Sequence, residues 1–429
     1  MKKEKIIALL LMTTLFASGC SMLPFGNSSQ SASSTSEVSE GSEESKESEE
    51  KKEEVNKVLD DARLTEKIDE AAKYDFDNNK VFGSAYYVYD NGTSVEKCYG
   101  NMSLSSNEPI TNTTLFRLAS MSKPITTVAT LVAMERGLLS LDDTIDKYLP
   151  QFKHVKIIDA NGQQSLPKKL PTIMNILTHT SGIGSDAKKL SAMTKADQAT
   201  LDAAVSFYGG SGLDFEPGTK QAYSATGSFD VLVKIIETVT GKDYLEFLKE
   251  AIFEPCNMKD TTFIPTEEQW DRLVDMHERV NGENAVCAMP EGCIFGDVPV
   301  THYLGGAGLV STLQDYANFA KMLLNGGQGE KGKVISKTSV KLMSNPQVTA
   351  DIMPGNQRWG LGVRVVTDES YPHLPVGSFG WSGAYGSHFW IDPTNNIFAV
   401  YMKNSQFDGG SSNESGNKFE AAVYSSLLN

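Results

Sequence analysis

The stretch Ser120-Met121-Ser122-Lys123 stands at the start of the apolar run PITTVATLVAM (124–134). This run predicts a buried helix that Ser120 opens and that ends near Gly137. Residues three apart share a helix face, so the Lys123 amine can reach the Ser120 hydroxyl. A serine hydroxyl is a weak nucleophile until a neighbouring base removes its proton. The stretch therefore predicts Ser120 as a nucleophile and Lys123 as its base.

The Ser-x-x-Lys pattern is short, and it occurs five more times in the chain. Only Ser120 is followed by a long apolar run, which would bury the lysine beside it. A buried ammonium group is unfavourable unless other groups satisfy it. A structural use of this lysine is therefore the weaker interpretation, and Ser120 with Lys123 is a candidate site.

Two more segments carry groups that this chemistry needs. The loop FEPGTKQAYSA (215–225) presents Tyr223, and a tyrosine near a cation can act as a phenolate base. The segment FGWSGAYG (379–386) places glycines within a predicted strand, where they often mark the close approach of a ligand or another backbone. Such a strand beside Ser120 could donate a backbone N–H to an oxyanion. The alternatives are a tyrosine packed under a loop and a bend in a sheet.

Other patterns are interpreted without chemistry. His179, in the segment THTSG (178–182), fits a hydrogen-bonded turn better than a Ser-His pair. The segment GGAGL (305–309) lacks the Gly-Lys-Ser/Thr of a phosphate loop. No cysteines or histidines stand at metal-site spacing, so a zinc site is not expected, and no feature of the sequence calls for another metal or an organic cofactor. Cys287 and Cys293 either form a small disulfide or remain thiols.

The N-terminal residues predict export. Lysines 2, 3 and 5 precede an apolar stretch that ends in Ala17-Ser18-Gly19-Cys20. We interpret residues 1–19 as a signal peptide, since the stretch is short for a membrane span. The small residues before Cys20 resemble a bacterial lipobox, which implies cleavage there and lipidation of the Cys20 sulfur. The expected location is the outer face of a bacterial membrane, and a secreted protein is the alternative.

Composition separates a tether from a globular domain. Residues 20–56 are dominated by Ser, Glu and Lys, with nine Glu against three Lys, and predict a disordered tether. Residues 57–429 predict the catalytic domain. The net charge of −15 argues against a nucleic-acid partner, since such binding relies on Lys and Arg.

Strand signals lie near both ends of the domain, with helical signals between them. Asp90-Asn91-Gly92 separates two alternating segments within 81–101, which is typical of a hairpin. Further strands are expected at 360–366, 376–390 and 397–403, and helices at 59–74, 141–150 and 414–428. The expected fold is α/β (α+β): one antiparallel sheet flanked by the N- and C-terminal helices, beside a mostly helical region.

In this order, the motifs resemble those of the penicillin-recognising serine hydrolases, and in particular class C β-lactamases, D-alanyl-D-alanine peptidases and family VIII carboxylesterases. The matching segments are FRLASMSK (116–123), LDDTI (141–145), ILTHTSG (176–182), EPGT (216–219) with Tyr223-Ser224, GAGLVST (306–312) and GWSG (380–383). The resemblance spans about residues 64–429 and implies a β-lactamase/transpeptidase-like fold.

The resemblance also implies an acyl-enzyme at Ser120. Lys123 and Tyr223 would share proton transfer, and the N–H groups of Ser120 and Ala384 would form the oxyanion hole. Trp381, Ser382 and Gly383 would line the substrate site.

Two departures from the family pattern bear on the substrate. Tyr223-Ser224-Ala225 stands where the family usually has Tyr-x-Asn, and Trp381-Ser382-Gly383 replaces a motif that usually begins with a basic residue. These changes favour an esterase-like hydrolase acting on small esters or amides. The alternatives are a β-lactamase or D-alanyl-D-alanine carboxypeptidase acting on cell-wall peptides, and a non-catalytic penicillin- or peptidoglycan-binding sensor module. The sequence leaves the oligomeric state open.

Overall fold

A computed structural model describes residues 58–159, 161–287, 293–295, 298–299, 301–411 and 413–428. The predicted signal peptide, the predicted tether and Cys20 lie outside the described residues. In the part that is described, no helix has both the length and the apolar character that a membrane span requires.

The α-helices of the described residues are, in chain order, α1 (Asp61–Asp77), α2 (Ser122–Glu135), α3 (Ile173–Leu177), α4 (Ala187–Leu190), α5 (Leu201–Ser211), α6 (Gly227–Thr240), α7 (Tyr244–Leu248), α8 (Glu254–Cys256), α9 (Glu267–Asp271), α10 (Leu313–Leu324), α11 (Lys337–Ser344) and α12 (Glu414–Tyr424). A π-helical turn, Lys249–Phe253, follows α7, and 3-10 turns cover Ala119–Met121, Ile145–Lys147 and Pro150–Phe152.

The strands are β1 (Gly83–Asp90), β2 (Thr93–Gly100), β3 (Leu115–Arg117), β4 (Ile157–Ile158), β5 (Gln164–Ser165), β6 (His277–Val280), β7 (Glu283–Val286), β8 (Cys293–Phe295), β9 (Val298–Pro299), β10 (Val310–Thr312), β11 (Gln357–Trp359), β12 (Arg364–Val366), β13 (Phe379–Ser382), β14 (His388–Asp392) and β15 (Ile397–Met402). Seven of them form one antiparallel sheet in the order β11-β12-β13-β14-β15-β1-β2.

The central pairing of this sheet joins strands from the two ends of the domain. β1 pairs with β15, and Tyr86 lies opposite Tyr401. Both strands are almost completely buried, because helices cover both faces of the sheet. The predicted antiparallel sheet built from the terminal strands is confirmed.

Helices α1 and α12 cover one face of the sheet. The carboxylate of Asp60 caps α1 by accepting the N–H groups of Ala62 and Arg63. Leu64 and Ile68, one turn apart on α1, bury their side chains in a cluster to which α12 and the sheet also contribute. The predicted flanking of the sheet by the first and last helices is therefore confirmed.

The opposite face meets the helical region. Helix α10 packs on β14, β15 and β1, while α2 packs against α6, and α6 against α5. Buried Tyr316 on α10 donates a hydrogen bond to the Met121 carbonyl at 2.9 Å. This bond ties α10 to the turn that precedes α2.

Two predicted elements are wrong. Residues 141–150 do not form an α-helix, because the Ile145 N–H donates to the Pro171 carbonyl at 3.0 Å and Thr144 bridges to Thr172. The backbone there is tied to a neighbouring segment and forms only 3-10 turns. The strand predicted over 376–390 is two strands, β13 and β14, separated by a loop at 383–387.

Of the two cysteines that were considered as a disulfide, Cys287 and Cys293, only Cys287 has a described side chain. The Cys287 sulfur accepts a hydrogen bond from the Gln406 amide at 3.4 Å. The Cys293 side chain lies outside the described residues, so its pairing with Cys287 stays a prediction.

A buried carboxylate joins the sheet to both of its covering helices. Asp75 on α1 accepts hydrogen bonds from the Tyr401 hydroxyl at 2.5 Å and from the Ser415 hydroxyl at 2.6 Å. Ser415 in turn accepts a bond from the fully buried Lys403 ammonium at 3.0 Å. Asp75 therefore satisfies polar groups of β15 and α12 at a place that water does not reach.

Replacing this carboxylate should destabilise the domain. We expect Asp75→Ala to lower the free energy of unfolding by about 3–5 kcal/mol, because it leaves the buried Tyr401 hydroxyl without its acceptor and removes a carboxylate charge near the buried Lys403 ammonium. Urea unfolding followed by circular dichroism measures the change. Asp77→Ala, which removes an exposed carboxylate paired with Lys73 on the same helix, is the control and should change stability by less than about 0.5 kcal/mol. Equal effects of the two substitutions would contradict the assignment.

Candidate active site

Ser120 lies in a strained turn at the entrance to α2. Its neighbour Ala119 has φ +45°, a left-handed conformation that is rare for a residue with a β-carbon. Such strain is found where the surrounding structure enforces it, often at active sites. Here the Leu118 N–H donates to the Leu309 carbonyl at 2.9 Å, and Asn404 exchanges two hydrogen bonds with the Arg117 backbone. The turn leaves Ser120 partly exposed beside the buried Met121.

The Lys123 amine is fully buried and is directed at Ser120. Its Nζ lies 2.5 Å from the Ala225 carbonyl oxygen, 2.9 Å from the Gly306 carbonyl oxygen and 3.4 Å from Ser120 Oγ. Two carbonyls therefore accept two of its N–H groups, and the third tetrahedral position faces the serine. In a neutral amine that position carries the lone pair that can accept the serine proton.

Gly306 has to be a glycine for this arrangement to form. A β-carbon at this position would lie 3.0 Å from Lys123 Nζ and 2.9 Å from the Ala225 carbonyl oxygen. The glycine-rich segment 305–309 thus holds the lysine, and the Ala225 backbone contributes where its side chain offers no hydrogen bond.

Tyr223 is the third group at the nucleophile. Its hydroxyl donates a hydrogen bond to Ser120 Oγ at 2.7 Å, and the Lys123 Nζ lies 4.9 Å from the centre of its ring. Ser120 is thus within hydrogen-bond reach of both candidate proton-transfer groups. The structure brings together the three residues that the sequence predicts as catalytic.

His179 supports the loop that carries Tyr223. It has φ +53°, its carbonyl accepts the Ala222 N–H at 3.0 Å, and its Nδ1 accepts the Ser224 N–H at 3.1 Å. Complete burial, with Lys123 and Arg364 acting in the same direction, holds the pKa of His179 well below its usual value. The ring is therefore neutral. Its centre lies 4.6 Å from the centre of the Tyr223 ring, so His179 packs against Tyr223 and helps to position it.

Asp230 on α6 is a residue of the site that sequence reasoning missed. Its fully buried carboxyl accepts the Gly305 N–H at 3.1 Å, next to the Gly306 carbonyl that binds Lys123. Burial raises the pKa of Asp230 to about 8, although the Gly305 N–H and Lys123 act in the opposite direction. A lone carboxyl within the apolar helical run FDVLV (229–233) is the sequence signal that could have identified it.

The predicted substrate-binding motif divides between the two faces of the sheet. The Trp381 ring lies 5.4 Å from the Tyr223 ring and 4.6 Å from the Trp359 ring, so it forms part of an aromatic wall beside the nucleophile. The Ser382 hydroxyl lies instead 2.8 Å from His388 Nδ1, a contact completed by Glu420 of α12. Trp381 therefore contacts Tyr223, whereas the Ser382 side chain contacts His388.

The loop after β13 packs directly on the Ser120 turn. A β-carbon at Gly383 would lie 2.4 Å from the Leu118 carbonyl oxygen, so only glycine allows this approach. Ala384 packs in a cluster with Ala119. The glycine was correctly predicted to mark a close backbone approach, although it lies in a loop and not within a strand.

Among the described residues, no group of three or more His, Cys, Asp or Glu side chains is arranged to hold a metal ion.

The sequence matches the Beta-lactamase family over residues 63–422. The chain belongs to the beta-lactamase family. The predicted membership of the penicillin-recognising serine hydrolases is thereby confirmed, and with it the assignment of the chain as a serine hydrolase.

Several known proteins are similar to this chain. Protein Rv1367c of Mycobacterium tuberculosis (strain ATCC 25618 / H37Rv) is 28% identical over 330 residues, which cover 71% of this chain and 80% of that protein. Esterase EstB of Burkholderia gladioli is 24% identical over 380 residues, or 82% and 93% of the two chains. The solved structure of EstCE1, a hydrolase with promiscuous acyltransferase activity, superimposes with a TM-score of 0.74 at 24% identity and covers 85% of this chain and 99% of its own.

The buried Asp230 carboxyl predicts a measurable pH dependence of stability. Because its pKa is raised, its contribution to stability is complete below the unfolded pKa near 3.8 and is lost as the pH rises towards about 8. We expect Asp230→Asn, whose amide oxygen can still accept the Gly305 N–H, to be more stable than the wild type at pH 7 by up to about 4 kcal/mol. The two proteins should agree near pH 4.

Urea unfolding at pH 4 and pH 7 tests this dependence. Asp202→Asn, a change at an exposed carboxylate, is the control and should follow the wild type at both values. An identical loss of stability between pH 4 and pH 7 in the wild type and Asp230→Asn would refute the role of burial.

Proposed function

We propose that this chain is a surface-anchored esterase-like hydrolase that forms an acyl-enzyme at Ser120. The observation that carries the proposal is the placement of Ser120 Oγ 2.7 Å from the Tyr223 hydroxyl and 3.4 Å from Lys123 Nζ. This is the arrangement of a nucleophile with its base that covalent catalysis requires.

Acylation follows from these contacts. Ser120 Oγ attacks the ester carbonyl while its proton passes to the Lys123 amine. The Tyr223 hydroxyl protonates the leaving alcohol oxygen and is itself reprotonated by the Lys123 ammonium. Water then attacks the acyl-Ser120 ester by the same route and releases the acid. Each step returns the site to its starting protonation state.

The oxyanion of both steps would be bound by backbone N–H groups. Ser120 would supply one from the 3-10 turn before α2, and Ala384 would supply the other from the loop that packs on the Ser120 turn. Each such donor contributes about 3 kcal/mol to stabilisation of the transition state.

The aromatic wall beside Ser120 favours an uncharged ester as the substrate over a charged molecule. Trp381 packs against Tyr223 and Trp359, so the wall beside the nucleophile is aromatic and carries no charge of its own. Ala225 provides no side-chain amide for a peptide substrate. The similar proteins include an esterase, EstB, and a hydrolase with acyltransferase activity, EstCE1, which agrees with this substrate class.

One observation favours a second candidate, a cell-wall D-alanyl-D-alanine peptidase or β-lactamase. The Arg364 guanidinium lies 5.5 Å from the centre of the Trp381 ring, so a cation is present near the motif that lacks one of its own. A guanidinium can bind the carboxylate that such substrates carry.

The first test compares Ser120→Ala with the wild type on p-nitrophenyl butyrate. We expect kcat/KM to fall by at least about 10³-fold, because the nucleophile is lost. Ser165→Ala is the matched control, since Ser165 belongs to another Ser-x-x-Lys pair but is exposed, and it should retain full activity.

The outcomes of this test separate the candidates. Full activity of Ser120→Ala would refute the acyl-enzyme. Turnover of a penicillin or of a D-alanyl-D-alanine peptide faster than that of the ester would favour the second candidate. A stable Ser120 adduct without turnover of any substrate would favour a binding or sensor module.

We also propose anchoring through a lipidated Cys20 at the outer face of a bacterial membrane, on the basis of Ala17-Ser18-Gly19-Cys20 alone. Full-length protein produced in a bacterium should sediment with membranes, and Cys20→Ala should release it into the soluble or secreted fraction. Cys98→Ala, which changes a cysteine within β2, should stay with the membranes. Membrane association of Cys20→Ala equal to that of the wild type would refute the anchor.

A further inference from the structure

A chain of hydrogen bonds runs from α12 to the neck of the β13–β14 hairpin. Ser382 and His388 are the last paired residues before the loop 383–387, and the Ser382 hydroxyl lies 2.8 Å from His388 Nδ1. His388 Nε2 lies 2.8 Å from Glu420 Oε1, and Glu420 is 99% buried on α12. We call Ser382, His388 and Glu420 the neck relay.

The chemistry of the groups fixes the direction of the bond to Glu420. The Glu420 carboxylate accepts, so His388 Nε2 carries the hydrogen and donates it. The Ser382 hydroxyl can both donate and accept, so it completes the contact with His388 Nδ1. The Tyr371 hydroxyl donates to the other Glu420 oxygen at 3.2 Å and holds the carboxylate in place.

The loop closed by this relay is the one that packs on the nucleophile. The Gly383 N–H donates to the Ser387 carbonyl at 2.7 Å, and the Ser387 hydroxyl donates to the Leu118 carbonyl at 3.3 Å. The Gly410 N–H donates to the Gly383 carbonyl at 2.9 Å. The loop that contains Ala384 is therefore fixed at three places. Ser387 bonds to Leu118, Gly383 bonds to Gly410, and the Ser382–His388 contact closes the loop where the two strands end.

The relay has the composition of a Ser-His-Glu triad, but its geometry argues against a second nucleophile. Ser382 is only 3% exposed. The neighbouring Gly383 N–H is already bonded to Ser387, so it is not available to an oxyanion at Ser382. The three residues are better placed to fix the hairpin than to attack a substrate.

We propose that His388, held by Glu420 and bonded to Ser382, is a positioning residue that sets the Ala384 N–H at the oxyanion of the acyl-Ser120 reaction. This inference rests on the proposed function. An interaction that matters only in the transition state affects kcat and leaves KM nearly unchanged when it is lost. A residue needed only for folding would instead reduce the amount of active protein.

The test uses steady-state hydrolysis of p-nitrophenyl butyrate by the full-length protein. His388→Phe keeps a ring against Trp390 but removes both hydrogen bonds. We expect kcat to fall 10- to 100-fold with KM changed less than threefold, and Ser382→Ala to show the same pattern. The double variant should be no slower than either single one, because all three break the same relay. His388→Asn, whose amide oxygen can accept from Ser382, and Ser382→Thr should each recover most of kcat.

Tyr424→Phe is the matched control. Tyr424 lies on α12, as Glu420 does, and its hydroxyl donates a hydrogen bond to Asp392 of β14 at 2.7 Å, away from the hairpin neck. Loss of this bond should leave kcat within twofold of the wild type. If His388→Phe does not fold, Ser382→Ala carries the test alone.

Three results would overturn the inference: a kcat of Ser382→Ala equal to that of Tyr424→Phe, additive losses in the double variant, or labelling of Ser382 by a fluorophosphonate in Ser120→Ala. Failure of the proposed function is distinct, since the wild type itself would then show no turnover that depends on Ser120.

Discussion

The burial of Lys123 is the constraint on which the site depends. A fully buried amine is unfavourable without acceptors, and the structure supplies two backbone carbonyls, those of Ala225 and Gly306. Both carbonyls come from loops of the helical region, whereas Ser120 comes from the turn before α2. The lysine therefore joins these segments at one point. The third tetrahedral position of its nitrogen is directed at the Ser120 hydroxyl. Asp230 acts one step further away by holding the Gly305 N–H of the same loop.

The sheet makes the other half of the site. Asn404, two residues after β15, holds the Arg117 backbone, and the loop between β13 and β14 packs on the Leu118 carbonyl. The strained Ala119 is thus held between the sheet and the helical region. The apolar contacts of α1 and α12 stabilise this sheet from its far side, which explains how residues distant from Ser120 support its geometry.

Local patterns in the sequence were sufficient to predict Ser120 and Lys123 as a pair, because they are one helical turn apart and open an apolar run. The role predicted for Tyr223 came from the family resemblance, since its loop alone fits a packed tyrosine equally well. The terminal strands and helices were also predictable from alternation and apolar spacing. Asp230, Asn404 and the neck relay were not, because each acts through partners that are distant in the chain: His388 contacts Glu420, and Asn404 contacts Arg117 across 287 residues. The prediction of a helix at 141–150 is wrong for the same reason, because the backbone there bonds to a segment that is distant in the chain.

Intact-mass spectrometry of the purified protein, quenched in acid during the first turnovers of p-nitrophenyl butyrate, would show whether Ser120 is acylated. We expect a transient gain of one butyryl group, located on the peptide that contains Ser120 and lost as the substrate is consumed. Turnover of the ester without any adduct at Ser120, or with the butyryl group on another residue, would contradict the acyl-enzyme at Ser120.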